Sequence, residues 1–160
     1  MLVRVAEAGD IPALVEMTEM IAAEVMWIGQ QSPIDRDARA AQLLETLDGT
    51  IRGTVLVVER AEVVVGYAWL IEKFSGVIYL GMMLLPEARG QGLGSALLQA
   101  CIDEARDRDA HKMALEVWPH NEAAIRLYEK FGFVHEGRLV RHYKRKNGEI
   151  WDSVLMALHL

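Results

Sequence analysis

LLPEARGQGLGSALL, residues 84–98, links the end of one apolar run to the start of another and places glycines at 90, 92 and 94 between them. A glycine inside a helix costs about 0.8–1 kcal/mol relative to alanine, so three at such a junction signal a backbone that something approaches closely. A P-loop is excluded, because Ser95 follows Gly94 without the lysine that motif requires. A dinucleotide fingerprint also fails: counted from Gly90 its last glycine falls on Ser95, and from Gly92 on Leu97. What remains is Arg89-x-x-Gly92-x-Gly94, preceded by Pro86 and opening onto a helix. The first N–H groups of a helix have no internal partner and carry partial positive charge, so this pattern predicts a cradle for an anion such as phosphate.

Working outward, TVLVVE (54–59), VVVGYAWLI (63–71) and GVIYLGMMLL (76–85) are rich in β-branched and aromatic residues and predict three strands, the first two joined by a polar hairpin. After the glycines, Leu93 to Ala105 has helical periodicity, MALEVW (113–118) reads as a strand, and NEAAIRLYEKF (121–131) as a helix. Asn121 is placed to cap that helix, and Gly132 to end it with Phe133 over the last turn. Asn147-Gly148 predicts a tight turn between two final strands. At the start, Leu2, Val3 and Val5 suggest a short strand, and Asp10 an N-cap for a helix carrying Ile11, Leu14, Val15, Thr18 and Ile21. A loop with Trp27, Gly29 and Pro33 follows, then a helix over 35–47 whose inward side is expected to hold Ala38, Ala41, Leu44 and Leu47. The order predicts one mixed α/β domain over residues 1–160, with a largely antiparallel sheet of about seven strands and about four helices.

At 160 residues, 52% apolar and 25% charged, the chain is sized for one soluble domain with a substantial core. Its single cysteine, Cys101, excludes an internal disulfide and a multi-cysteine zinc site and is expected to pack in the core. His111, His120, His135, His142 and His159 lack the paired spacing of metal ligands, so no metal is expected. A net charge of −6 argues against a nucleic-acid partner, and the RHYKRK cluster at 141–146 is expected to be the solvated face of a hairpin. Tyr143 and Trp151 are large enough that one face of that hairpin should be covered. With no signal peptide and no apolar run of about 18 residues, a cytoplasmic protein without a membrane partner is expected.

The segment from Leu84-Leu85-Pro86 through Arg89-Gly90-Gln91-Gly92-Leu93-Gly94, followed by Asn121 to Phe133, resembles the two landmark motifs of the GNAT superfamily of N-acetyltransferases, in the right order. The resemblance covers nearly the whole chain and implies acetyl-CoA as co-substrate. It implies that the backbone at Arg89, Gly90, Gln91, Gly92, Leu93 and Gly94 holds the pyrophosphate, and that Met83, Leu84 and Leu85 meet the pantetheine arm. It further implies a splay between the strands at 76–85 and 113–118, and contacts from Asn121 and Tyr128 to CoA, with Tyr128 as general acid.

The chemistry itself sets requirements. A primary ammonium with a pKa near 10.4 costs about 4.6 kcal/mol to deprotonate at pH 7, and the departing thiolate gains from a proton donor. Many relatives place a glutamate on the strand before the glycine loop, but this chain has none between Gly76 and Leu85. Glu72 and Glu116 are substitute candidates for the base, beside His120 or a water relay. Met26 and Trp27 either line an acceptor pocket or cover a loop. The acceptor expected first is a primary amine on a small molecule (amino acid, polyamine or related amine). A protein N-terminus or lysine is the second reading, and a non-catalytic acyl-CoA sensor the third. The C-terminal strands are candidates for a homodimer contact.

Overall fold

The computed structural model describes residues Met1–Leu160 and carries the predicted element order without exception. In chain order these are β1 (Leu2–Val5), α1 (Ile11–Ala23), α2 (Arg36–Leu47), β2 (Gly53–Arg60), β3 (Val63–Phe74), β4 (Val77–Leu84), α3 (Leu93–Asp107), β5 (Lys112–Val117), α4 (Glu122–Lys130), β6 (Val134–Lys144) and β7 (Ile150–His159). The seven strands form one sheet in the order β1-β2-β3-β4-β5-β7-β6. Only β4 and β5 pair in parallel; every other pairing is antiparallel.

Both faces of the sheet are covered, which is why its central strands read as nearly continuous apolar runs. Along β2, Leu56 and Val58 face α3, whereas Val55 and Val57 face α1 and α2. From α3, Leu97, Leu98, Cys101, Ile102 and Ala105 complete the first core; Leu14, Val15, Ile21 and Leu43 build the second. Cys101 is fully buried, and burial pushes its thiol far above the ordinary range, in keeping with a packed residue.

Two local expectations need correction. The side chain of Asp10 does not cap α1. It accepts from the Glu7 amide at 2.7 Å and from both terminal nitrogens of Arg4, whose guanidinium holds the Asp10 carboxyl below the usual range. In α2 the buried residues are Arg39, Leu43 and Thr46, while Ala38, Ala41 and Leu44 face outward. The helix turns this way because Arg39 reaches Tyr67 of β3, donating to its hydroxyl at 2.8 Å, and stacks 4.5 Å from the Trp69 ring. A guanidinium over an indole offsets part of the cost of burial, so an arginine takes a place that periodicity assigns to alanine and leucine.

Turn chemistry fixes the rest. Ala61 and Glu62 both adopt positive φ in the two-residue β2–β3 turn, a primed turn made without glycine. The end of α4 is a Schellman closure: the Phe133 amide donates to the Tyr128 carbonyl and that of Gly132 to Glu129. The rings of Phe133 and Tyr128 pack with centroids 5.5 Å apart, so the helix stop also fixes the tyrosine.

Candidate active site

The parallel pairing of β4 with β5 covers only Val77–Tyr79 against Lys112–Ala114; beyond it the strands splay where the sequence predicted. The Leu85 amide donates to Val65 of β3, so by alternation those of Met83 and Gly81 are also engaged there. The backbone groups of Leu80, Met82 and Leu84 therefore face the gap. Of the three residues expected at the pantetheine arm, Leu84 turns its backbone groups to the gap, while the amides of Met83 and Leu85 are engaged with β3. Met83 and Leu84 still line the cavity, and Leu85 does not.

At the upper end of β4, Gly90 and Gly92 have φ of +71° and +81°, a region that residues with a Cβ rarely enter. A Cβ at either would meet no protein atom within 4 Å, so the space beside them is open. Gly94 differs: a Cβ there would lie 3.3 Å from Leu84, so this glycine allows α3 to pack against the strand. The Arg89 amide donates to the Pro86 carbonyl, whereas none of the amides from Gly90 to Ser95 donates within the protein, the first internal bond of α3 being Ala96 to Gly92. Six adjacent free donors at a helix start fit a pyrophosphate by their chemistry. Arg89 does not join them through its side chain. Its guanidinium forms a two-pronged pair with Glu24 at 2.7 and 2.8 Å and caps the Leu84 carbonyl, bracing the loop. Gln91 points away, accepting from Arg60 at 2.6 Å, and Leu93 is buried in the core.

The splay opens a cavity of about 760 Å³ that runs through the sheet. On the α3–α4 side it is lined by Leu84, Gly92, Gly94, Asn121, Leu127 and Tyr128. Asn121 caps α4, accepting from the Ala124 amide at 3.3 Å. Tyr128 is 8% exposed, and burial raises its hydroxyl well above the ordinary range, so it is a protonated donor at any working pH. Tyr128 belongs to the core and also lines the cavity, so its packing leaves room for a role at the gap.

The other mouth, on the α1–α2 side, is lined by Trp27, Ile28, Trp69, Lys73, Tyr79, Glu116, Trp118, Tyr143 and Ser153, among others. Because Tyr79 faces Ala114, the residues two further on, Gly81 and Glu116, come opposite each other across the gap and on this face. A Cβ at Gly81 would sit 2.1 Å from the Trp69 ring, so no side chain fits on β4 there. The carboxylate that lines the gap is on β5 instead. Glu116 Oε2 accepts from the Tyr143 hydroxyl at 2.6 Å and from Ser153 Oγ at 3.0 Å, leaving Oε1 unengaged. Burial, then the bond to Glu116, pushes the Tyr143 hydroxyl up to about 12, so it stays a donor below that pH.

Glu72 is not brought to the cavity: it accepts from the Gly76 amide at 2.9 Å and pairs with Arg52 at 3.1 Å. Of the two loop residues, Trp27 lines the mouth and donates to Glu24 at 2.7 Å, whereas Met26 is 47% exposed outside it. His120 is also outside, its Nε2 2.7 Å from the Met26 carbonyl. Lys73, Trp69, Tyr143 and Ser153 were missed from sequence. Strand alternation could have found Glu116's facing partner, but not the pairing register across β5 and β7 that brings Ser153 to it.

Comparison with known proteins agrees with this geometry. Residues 18–133 match the model of the acetyltransferase (GNAT) family. The L-amino acid N-acyltransferase MnaT of Escherichia coli K12 is 31% identical over 100% of this chain and 94% of its own length. The structure of the ribosomal-protein-alanine N-acetyltransferase from Brucella melitensis superposes with a TM-score of 0.90 at 30% identity, covering all of both chains. That of yncA from Salmonella typhimurium with its cofactor acetyl-CoA does so with a TM-score of 0.87 at 29% identity, covering 99% of this chain and 93% of that one. The splayed sheet, the free amide cradle and the family match converge: the chain belongs to the acetyltransferase (GNAT) family and is an acetyl-CoA-dependent N-acetyltransferase of that type.

Proposed function

We propose that the acceptor is a small amino acid, acetylated on its α-amino group by direct attack. The observation that carries this reading is the charge of the acceptor mouth. Lys73 lines it with no carboxylate partner, its ammonium 4.6 Å from the Tyr79 ring centre, and Glu116 lines the same face. One cation and one anion suit a zwitterion, whereas a polyamine would meet the unpaired lysine as a like charge. The indoles of Trp27, Trp69 and Trp118 suit an apolar or aromatic side chain. The likeness to an L-amino acid N-acyltransferase points the same way.

Acetyl-CoA, when bound, supplies an acetyl group already activated as a thioester. The amides of Gly90 to Ser95 would hold its pyrophosphate, and the backbone of Met82 and Leu84 its pantetheine arm. Glu116 Oε1 takes the proton from the acceptor ammonium, while Tyr143 and Ser153 hold the carboxylate in place. Tyr128 would donate its hydroxyl proton to the departing sulfur from the opposite face, and the second proton shed by the attacking nitrogen as the amide forms would balance the one given up. The reading of a non-catalytic acyl-CoA sensor loses its one support, since a carboxylate does line the gap.

Two substitutions test the acceptor side. Glu116→Gln should lower turnover at pH 7 by about 100-fold, at the low end of general-base effects. The deficit should narrow as pH rises toward about 10, because the amine then deprotonates without help. An equal deficit across that range would remove Glu116 from the role. Lys73→Met should raise KM for L-methionine about tenfold, the worth of one charge-assisted bond, and leave KM for acetyl-CoA unchanged. L-Methionine amide, which has no carboxylate, should not distinguish the variant from the parent. If both acceptors respond alike, Lys73 reads no carboxylate. The likeness to a ribosomal-protein-alanine N-acetyltransferase favours a second reading, a protein N-terminus, which needs an open groove at Trp27.

A further inference from the structure

Arg145 is 3% exposed, although it sits in the basic cluster that the sequence assigned to solvent. No carboxylate pairs with it, its Nε has no partner, and burial lowers the pKa of its guanidinium. Glu149 offsets only part of this, and a buried charge without an ion pair is costly, so the contacts it does make have to be specific. They gather on the loop and indoles around the acceptor mouth, of which Ile28, Gly29 and Trp118 line the cavity itself. Nη1 donates to the Gly29 carbonyl at 3.0 Å, and Nη2 to those of Val25 at 3.2 Å and Ile28 at 3.5 Å. The guanidinium stacks 4.5 Å from the Trp151 ring and 5.3 Å from that of Trp118.

Lys146 extends the grip. Its amide donates to Gln31 Oε1, and its ammonium to the carbonyls of Gln31 at 3.1 Å and Ser32 at 2.9 Å. The loop so held contains a second signal. Val25, a β-branched residue, has φ of +64°, a conformation that persists only where the surroundings impose it, and Arg145 binds its carbonyl. The hairpin tip that presents both cations is fixed by the Arg145 amide bonding to the Glu149 carbonyl and by Gly148.

We infer that Arg145, supported by Lys146, is a positioning residue for the acceptor: from the β6–β7 tip it clamps residues 25–32 and so sets the Trp27 indole at the cavity mouth. The guanidinium fork is required, since a single ammonium cannot serve three carbonyls that diverge around it. The link to the acceptor rests on the function proposed above; the clamp itself does not.

The test uses hydrogen exchange and steady-state kinetics on the full chain with Arg145→Met and Arg145→Lys. The methionine keeps the apolar stem against the indoles and removes every donor. In Arg145→Met, exchange across residues 25–32 should rise about tenfold or more, with the sheet and residues 90–95 unchanged. Arg145→Lys should fall between it and the parent. KM for L-methionine should rise about tenfold or more in Arg145→Met, with KM for acetyl-CoA unchanged. Unchanged exchange in 25–32, or an equal rise over the whole chain, would overturn the clamp. A loosened loop with an unchanged acceptor KM would overturn its role in positioning. If the parent enzyme does not acetylate L-methionine, the proposed acceptor fails while the exchange result still decides the clamp.

Discussion

Tyr128→Phe is expected to lower turnover by about 100-fold or more while leaving acetyl-CoA affinity and thermal stability unchanged. The separation follows from where the two halves of this residue lie. Its ring packs against Phe133 in the core, and phenylalanine keeps that packing. Its hydroxyl lines the cavity and makes no hydrogen bond to a protein group, so removing it leaves no buried partner unsatisfied. What the variant would lose is the proton donor proposed for the departing sulfur. Burial makes Tyr128 a weaker acid than a free tyrosine, but a thiolate released into the same apolar gap is also more basic than in water. Turnover of the variant within about twofold of the parent would exclude Tyr128 as the acid.

Gly92→Val should abolish measurable acetyl-CoA binding at concentrations that saturate the parent. Two effects combine. A β-branched residue at φ of +81° is strained by about 1–2 kcal/mol, and its methyl groups would fill the open space beside the six free amides. The strain alone can be separated with Gly49→Val, which stands at φ of +85° with equally open surroundings but far from the loop in sequence, just after α2. That control should lose similar stability and keep its affinity, as measured by calorimetry and melting temperature. Equal affinity loss in both would mean that the glycine loop acts through folding and not as a cradle.

The course of the chain was legible because its punctuation is local. Gly132 with Phe133, Asn121, and Asn147-Gly148 each carry their own instruction for the backbone, and strand and helix periods differ sharply between them. The cradle was legible for the same reason: positive φ at two glycines and a helix start are properties of a few consecutive residues. The failures at Arg39 and Arg145 share a different cause. Arg39 and Arg145 are buried because of partners far along the chain, Tyr67 and Trp69 for one, the 25–29 carbonyls with Trp118 and Trp151 for the other. Neither is recoverable from a helical period or a charge run. The proposed base illustrates the point most clearly. The missing carboxylate on β4 looked like a defect in sequence, yet it follows from Trp69 occupying the space at Gly81, and the parallel register then sets Glu116 opposite. Glu72 looked equivalent to Glu116 until the register separated them.

The measurement that tests the central claim most directly is a competition. The enzyme is given acetyl-CoA with equal concentrations of L-methionine, spermidine and a short peptide with an N-terminal alanine, and the acetylated products are identified by mass spectrometry. The account predicts N-acetylmethionine as the dominant product, because the mouth offers an unpaired cation to a carboxylate and a carboxylate to an ammonium. Dominant acetylation of spermidine would contradict the reading of Lys73, and dominant acetylation of the peptide would contradict a closed acceptor pocket behind Trp27.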